Sequence, residues 1–204
     1  MISAQDVQKL RQATGAGMMD AKKALTEAKG NFEAAVDLLR AKGAKVAQAR
    51  GERATGQGLV ESYIHSGGRV GALVEVACET DFVARTDQFK NLAHDIAMQV
   101  TATNPLYLAP EDVPQDIVER EKNVYLEQLK AEGKTGDMVE KIIAGKLQKF
   151  YQEVCLLNQP FFRDDKQKVA DIITQTITQT GENIKIKRFA RFELSGAASC
   201  SAVK

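Results

Sequence analysis

GLVESYIHSGGRVGALVEVA, residues Gly58–Ala77, is the stretch that decides the fold. Leu59, Glu61, Tyr63 and His65 alternate with Val60, Ser62 and Ile64, the two-residue period of a half-buried strand. Ser66-Gly67-Gly68-Arg69 follows as a hairpin turn, because glycine accepts the positive φ that such turns need. Val70 to Ala77 then reads as the return strand. An antiparallel pair therefore sits a third of the way along a 204-residue chain.

Towards the N-terminus the period is helical. Residues 1–43 read as three short helices. Ser3, with Asp6 three residues on, caps the first, whose face carries Val7 and Leu10. Thr14-Gly15-Ala16-Gly17 breaks it. The second runs from about Met18 to Ala28 with Ala21, Leu25 and Ala28 at helical spacing. Gly30 stops it and Asn31 caps the third, with its stripe of Phe32, Ala35, Val36 and Leu39, which Gly43 is expected to end. A unit this small has a thin core and reads as a docking module. Residues 44–57, with Lys45, Arg50 and Arg53 among small residues, read as a solvated linker that is helical in part.

Towards the C-terminus, Thr86 caps an amphipathic helix from Asp87 to about Thr101, striped by Phe89, Leu92, Ala93, Ile96, Ala97 and Val100. Pro105, Pro110 and Pro114 mark an irregular crossover. Helices at Gln115–Ala131 and Asp137–Leu157, joined through Gly133 and Gly136, form a helical hairpin. Lys166 to Thr180 is strand-like by propensity and helical by period. Gly181, placed as a C-terminal stop, favours the helix. Ile184–Leu194 is a last strand, and residues 196–204 read as a disordered tail. The expected architecture is α+β: a three-helix domain, then a core over 58–195 with a three-stranded antiparallel sheet and helices that include the hairpin. Helices on one sheet face leave the other uncovered. The strands supply apolar candidates on both faces, Val60, Ile64, Val74 and Val76 among them, so self-pairing or a protein partner is expected through that sheet.

Composition narrows the function. The chain is 44% hydrophobic and 27% charged with a net charge of +1. That balance is globular and steers neither to nucleic acid nor to a membrane surface. No apolar run is long enough to span a bilayer, and MISAQDVQKL lacks the basic and apolar regions of a secretory signal. Cys78, Cys155 and Cys200 are odd in number and widely spaced, which points to a reducing cytoplasm. Cys200, in the tail, is read as an inert thiol there and as a cross-link between two chains under oxidation. No catalytic constellation is present in the sequence. His65 and His94 lack ligand-spaced company, and no phosphate-binding glycine motif occurs. The expectation is a protein that is not an enzyme and has no cofactor.

Two places remain. Thr80-Asp81-Phe82-Val83-Ala84-Arg85 lies between a strand and a capped helix. From the residues alone, Thr80 caps a turn, Asp81 faces water and Phe82 packs in the core, since large aromatics usually do. Met18-Met19-Asp20 opens the second helix. Methionine suits a pliable contact surface, although filling the small core is the ordinary use.

Three runs change that balance. TGAGMMDAKKAL (Thr14–Leu25), CETDFVAR (Cys78–Arg85) and GENIKIKRF (Gly181–Phe189) resemble, in order, the N-terminal, core and C-terminal signatures of the elongation factor Ts family. The chain resembles its compact form, with a single core repeat. The resemblance implies a guanine nucleotide exchange factor for the GTPase elongation factor Tu, active in the cytoplasm. It also implies that the three-helix module is ubiquitin-associated-like and docks on the GTPase through Met18, Met19 and Lys22. Asp81 and Phe82 would wedge near its magnesium site, framed by Thr80 and Val83. A homodimer and a 2:2 complex are expected, with neither nucleic acid nor membrane as partner. The family's usual cysteine is replaced by Ala21, a lysine by Gln8, and a frequent lysine by Arg85. Two other classes stay open: an adaptor that leaves nucleotide affinity untouched, and an RNA binder using Lys45, Arg50, Arg53, Lys185, Lys187, Arg188 and Arg191.

Overall fold

The computed structural model describes residues 2–134, 136–194 and 199–202. Helices α1 (Ala4–Thr14), α2 (Met18–Glu27) and α3 (Phe32–Arg50) precede a hairpin of β1 (Gln57–Ile64) and β2 (Val70–Cys78). A single helical turn, α4 (Asp81–Ala84), leads into α5 (Asp87–Thr103). The helical hairpin is α6 (Gln115–Ala131) and α7 (Asp137–Val154). Short strands β3 (Pro160–Phe161) and β4 (Asp164–Lys168) run into α8 (Val169–Thr180), then β5 (Ile184–Glu193) and β6 (Ser199–Ala202). The class is α+β, as the sequence implies. The antiparallel sheet has the order β1-β2-β5, and β6 adds to the free side of β5.

The chain divides into two compact units. The first takes Met1–Glu61, Val74–Asp95 and Ala170–Lys187. Its helices begin and end where local chemistry dictates. Ser3 and Asp6 form a reciprocal capping box at α1, and Gly15, at φ 66°, closes that helix in the left-handed region. The Asn31 side chain accepts from Ala34 N at the start of α3. Val7, Leu10, Ala21, Ala24, Leu25 and Ala35 form the small core, with Ile2, Ala28, Val36 and Leu39 packed on it. Small residues dominate, so the helices approach closely and the core stays thin.

Gly43 does not end the third helix. α3 continues to Arg50, so the segment read as a linker over 44–57 is helical for its first half. The reason is tertiary. Gly43 is buried, and a Cβ there would come within 3.1 Å of Thr178 Oγ1 on α8. Glycine serves close helix packing at this point, and that packing outweighs its poor helix propensity. Beyond the helix end, Gly51 O and Arg53 O accept hydrogen bonds from the buried Asn183 side chain, at 3.4 and 2.8 Å.

The second unit takes Ser62–Leu73, Ile96–Val169 and Arg188–Lys204. Leu129 and Leu147 are buried on the hairpin helices, and Lys146 lies 5.1 Å from the centre of the Tyr125 ring. α7 stops at Val154, three residues early, where Leu106 N and Tyr107 N both donate to Val154 O. The helix read from Lys166 begins only at Val169, because Asp164–Lys168 forms β4, paired with β3. Buried Gln99 ties this region together: it donates to Gln159 and Pro160 O and accepts from Phe162 N.

The tail also departs from expectation. Ser199–Ala202 pairs with β5, Cys200 standing opposite Ala190. Small polar residues carry no strand signal of their own; the unpaired backbone of an edge strand supplies the template. Residues 196–198 and 203–204 of the expected tail lie outside the described residues. Of the four valine and isoleucine candidates for an uncovered face, Val74 and Val76 are buried, whereas Val60 and Ile64 are exposed. Leu73, Phe192 and Leu194 join the exposed set.

Candidate partner-binding site

The site begins where β2 runs out. Buried Val74, Val76 and Cys78 carry the strand to its end, and Thr80 then turns the chain as an N-cap in extended geometry. The Thr80 side chain accepts from Val83 N at 3.4 Å, Ala84 N bonds Thr80 O, and Arg85 N bonds Asp81 O. The Thr86 hydroxyl donates to Val83 O at 2.8 Å and accepts from Phe89 N at 3.3 Å, closing α4 and opening α5 with one side chain. Beneath the turn, Cys78 Sγ donates to Thr80 O at 3.1 Å. Burial pushes that thiol's pKa up, and the neighbouring Glu182 charge adds to the effect.

Phe82 is 80% exposed at the apex of this turn. That overturns the reading from residues alone, in which the ring packs inside; the cap at Thr80 stands. The cause is geometric. A four-residue turn projecting from a strand end has little inward surface: Asp81, Val83 and Ala84 are half-buried and none is fully buried. Asp81 pairs with Arg85 across one helical turn at 2.8 Å, with the Arg85 side chain largely exposed and that of Asp81 about half exposed. Such a pair is weakly held, so Asp81 can exchange Arg85 for another partner at little cost.

Met18 and Met19 open α2, 46% and 65% exposed, and Lys22 is exposed on the next turn. Neither methionine belongs to the small core, which corrects the filling role. Ala21, where the resembling family carries cysteine, is fully buried instead. Asp20 is held by Lys42 at 2.5 Å.

Sequence reasoning missed what secures the turn. Thr80 N and Thr80 Oγ1 both donate to the Glu182 carboxylate, at 3.0 and 2.6 Å. Asn183 N donates to Glu79 at 2.6 Å, and Arg53 pairs with the same carboxylate at 3.4 Å. The Asn183 hydrogen bond, then Arg53, hold the Glu79 carboxyl below its ordinary range. Glu182 and Asn183 lie within the run Gly181–Phe189 already singled out, but 102 residues separate Glu182 from Thr80 and no local pattern joins them.

The candidate RNA-binding cations are partly committed elsewhere. Arg53 pairs with Glu79, and Arg191 is buried, donating to Thr101 O at 3.0 Å and to Glu193 at 2.7 Å. His65 hydrogen-bonds Tyr63, and His94 hydrogen-bonds Glu61. Among the described residues no group of three His, Cys, Asp or Glu side chains could hold a metal ion, and no helix is long and apolar enough to cross a membrane. The arrangement leaves a phenylalanine on a secured turn and a methionine pair open to solvent.

Comparison with known proteins identifies the family. The family model described as Elongation factor TS matches residues 3–196. A curated relative named Elongation factor Ts from Thermoanaerobacter sp. (strain X514) is 53% identical over 193 residues, covering 95% of both chains. That of Moorella thermoacetica is 53% identical over 194 residues, covering 95% of this chain and 96% of its own. That of Maridesulfovibrio salexigens is 51% identical over 198 residues, covering 97% and 96%.

Proposed function

The chain belongs to the elongation factor Ts family, and from that premise we propose that it empties GDP from elongation factor Tu by driving Phe82 and Asp81 into the GTPase beside its magnesium site. Thr80 and Val83 frame the wedge, while Met18, Met19 and Lys22 dock the three-helix module. The observation that carries this reading is the 80% exposure of a phenylalanine on a turn secured from behind.

GTPases of this kind hold GDP by backbone N–H groups around its phosphates and by a magnesium ion bridging phosphate and protein oxygens. A factor that binds the empty GTPase more tightly than the loaded one must weaken GDP by the same ratio. Burying Phe82 only in the opened state supplies roughly 1.5–3 kcal/mol of that difference. Asp81, released from Arg85, competes for the groups that position magnesium. No bond is made or broken, so the protein acts without being an enzyme and needs no cofactor of its own. Its place of work is the cytoplasm, where its partner acts.

Two copies complete the assembly in this reading. Ile64, Leu73, Phe192 and Leu194 are exposed apolar residues of the second unit, and a second chain covering them gives a homodimer and a 2:2 complex. Sedimentation showing only monomer at micromolar concentration would remove the dimer.

The decisive experiment is release of a fluorescent GDP analogue from elongation factor Tu. Acceleration by the wild type supports exchange. Equal acceleration by the Asp81→Ala/Phe82→Ala double variant would eliminate the wedge. A complex that forms without changing GDP affinity would instead identify an adaptor.

A further inference from the structure

α4 has four residues, too few to hold themselves: helix nucleation fixes several dihedral angles for a single hydrogen bond. Its most apolar side chain points to solvent, so burial of Phe82 does not anchor it either. What anchors it is polar and comes from the start of β5. Glu182 takes both Thr80 donors, and Glu79 takes Asn183 N. Two carboxylates thus cross between the end of β2 and the start of β5, each gripping the backbone N–H of the residue next to the other.

The same segment reaches the docking module. Gly181, at φ 78°, lets the chain leave α8 and present Glu182 and Asn183 in succession. On α8 itself, Gln179 fills the space over Gly15, where a Cβ would overlap its side-chain amide, and Thr178 abuts Gly43. Asn183 also fixes the chain just after α3 through Gly51 O and Arg53 O. The stretch from Thr178 to Asn183 therefore meets the three-helix module through Thr178 and Gln179 and the wedge turn through Glu182, all within the first unit.

We infer that Glu182 is a positioning residue for exchange: by gripping Thr80 it holds the Phe82 turn in its inserting geometry before the partner arrives. This inference rests on the exchange reading above. Binding by an already ordered turn avoids the cost of ordering it during insertion, and a carboxylate acceptor makes the grip stronger than a neutral one.

The test follows GDP release from elongation factor Tu across factor concentrations, separating the maximal rate from the half-saturating concentration. Glu182→Ala lowers the maximal rate at least roughly tenfold, while the half-saturating concentration, set mainly by the docking module, changes less than about twofold. Glu182→Gln, which keeps one acceptor, restores part of the rate. Thr80→Val, which removes one of the two donors that Glu182 takes, also lowers the maximal rate. A merely structural role lowers the melting temperature but leaves the saturating rate of the folded protein at the wild-type value. Amide hydrogen exchange in the free protein reads the grip directly: Ala84, Arg85 and Thr86 exchange faster in Glu182→Ala. If Glu182→Ala does not fold, Glu182→Gln and Thr80→Val carry the test. Failure of the wild type to release GDP sinks the exchange reading, whereas unchanged amide protection sinks the grip. A folded Glu182→Ala protein with wild-type maximal rate overturns the inference.

Discussion

Phe82 and Phe89 stand seven residues apart on either side of Thr86; water reaches 80% of one and none of the other. Both follow a threonine cap, and both belong to helical segments. The difference lies in what each ring answers to. Phe89 is the first residue of a stripe that recurs every three or four positions along α5 through Leu92, Ala93, Ile96 and Val100, all buried. Phe82 belongs to a turn too short to have a stripe, and polar bonds behind the turn hold it. One ring packs into this protein's interior, while the other stays open to solvent.

That contrast breaks most visibly at Phe89. Phe89→Ala removes a fully buried ring and is expected to cost about 3–5 kcal/mol of stability, read by denaturant unfolding. Phe82→Ala should leave stability within about 0.5 kcal/mol and slow GDP release from elongation factor Tu roughly 10- to 150-fold. If Phe82→Ala unfolds the chain, or Phe89→Ala acts only on release, the division of labour is wrong.

Between them, Thr86→Ala removes the side chain that closes α4 and caps α5. It is expected to cost about 1 kcal/mol, with release slowed less than by Phe82→Ala. The smallest effect concerns Glu79, behind the wedge. Its folded pKa is depressed, so its stabilisation is complete above the ordinary value of 4.5 and is lost as pH falls through the lower folded value. The melting-temperature gap between wild type and Glu79→Gln should therefore be present at neutral pH and shrink on acidification below about 4.5. A gap that stayed constant down to acid pH would show that the Glu79 charge contributes nothing.

Much of this was readable beforehand. The capping box at Ser3 and Asp6, the cap at Asn31, the glycine turns and the stripe of α5 are local patterns, and the structure carries them where the periodicity places them. The misreadings share a cause. Gly43 looks like a stop until α8 packs on it, Ser199–Ala202 looks like a loose end until β5 offers an edge, and Arg191 looks like a surface cation until Thr101 and Glu193 take it. Among site residues, the signature runs named Thr80, Asp81, Phe82 and Val83 but gave no reason for Phe82 to face outward. Glu79, Glu182 and Asn183 lie inside two of those runs, but no local pattern gave them a role or joined them to one another.

The sequence by itself determined most of the element types, the α+β class and the family, because periodicity, caps and signature runs are properties of neighbouring residues. Only the tertiary structure decided which phenylalanine is spare and what holds it ready. That depends on a carboxylate brought across 102 residues to a threonine hydroxyl, and no short-range pattern records such a meeting.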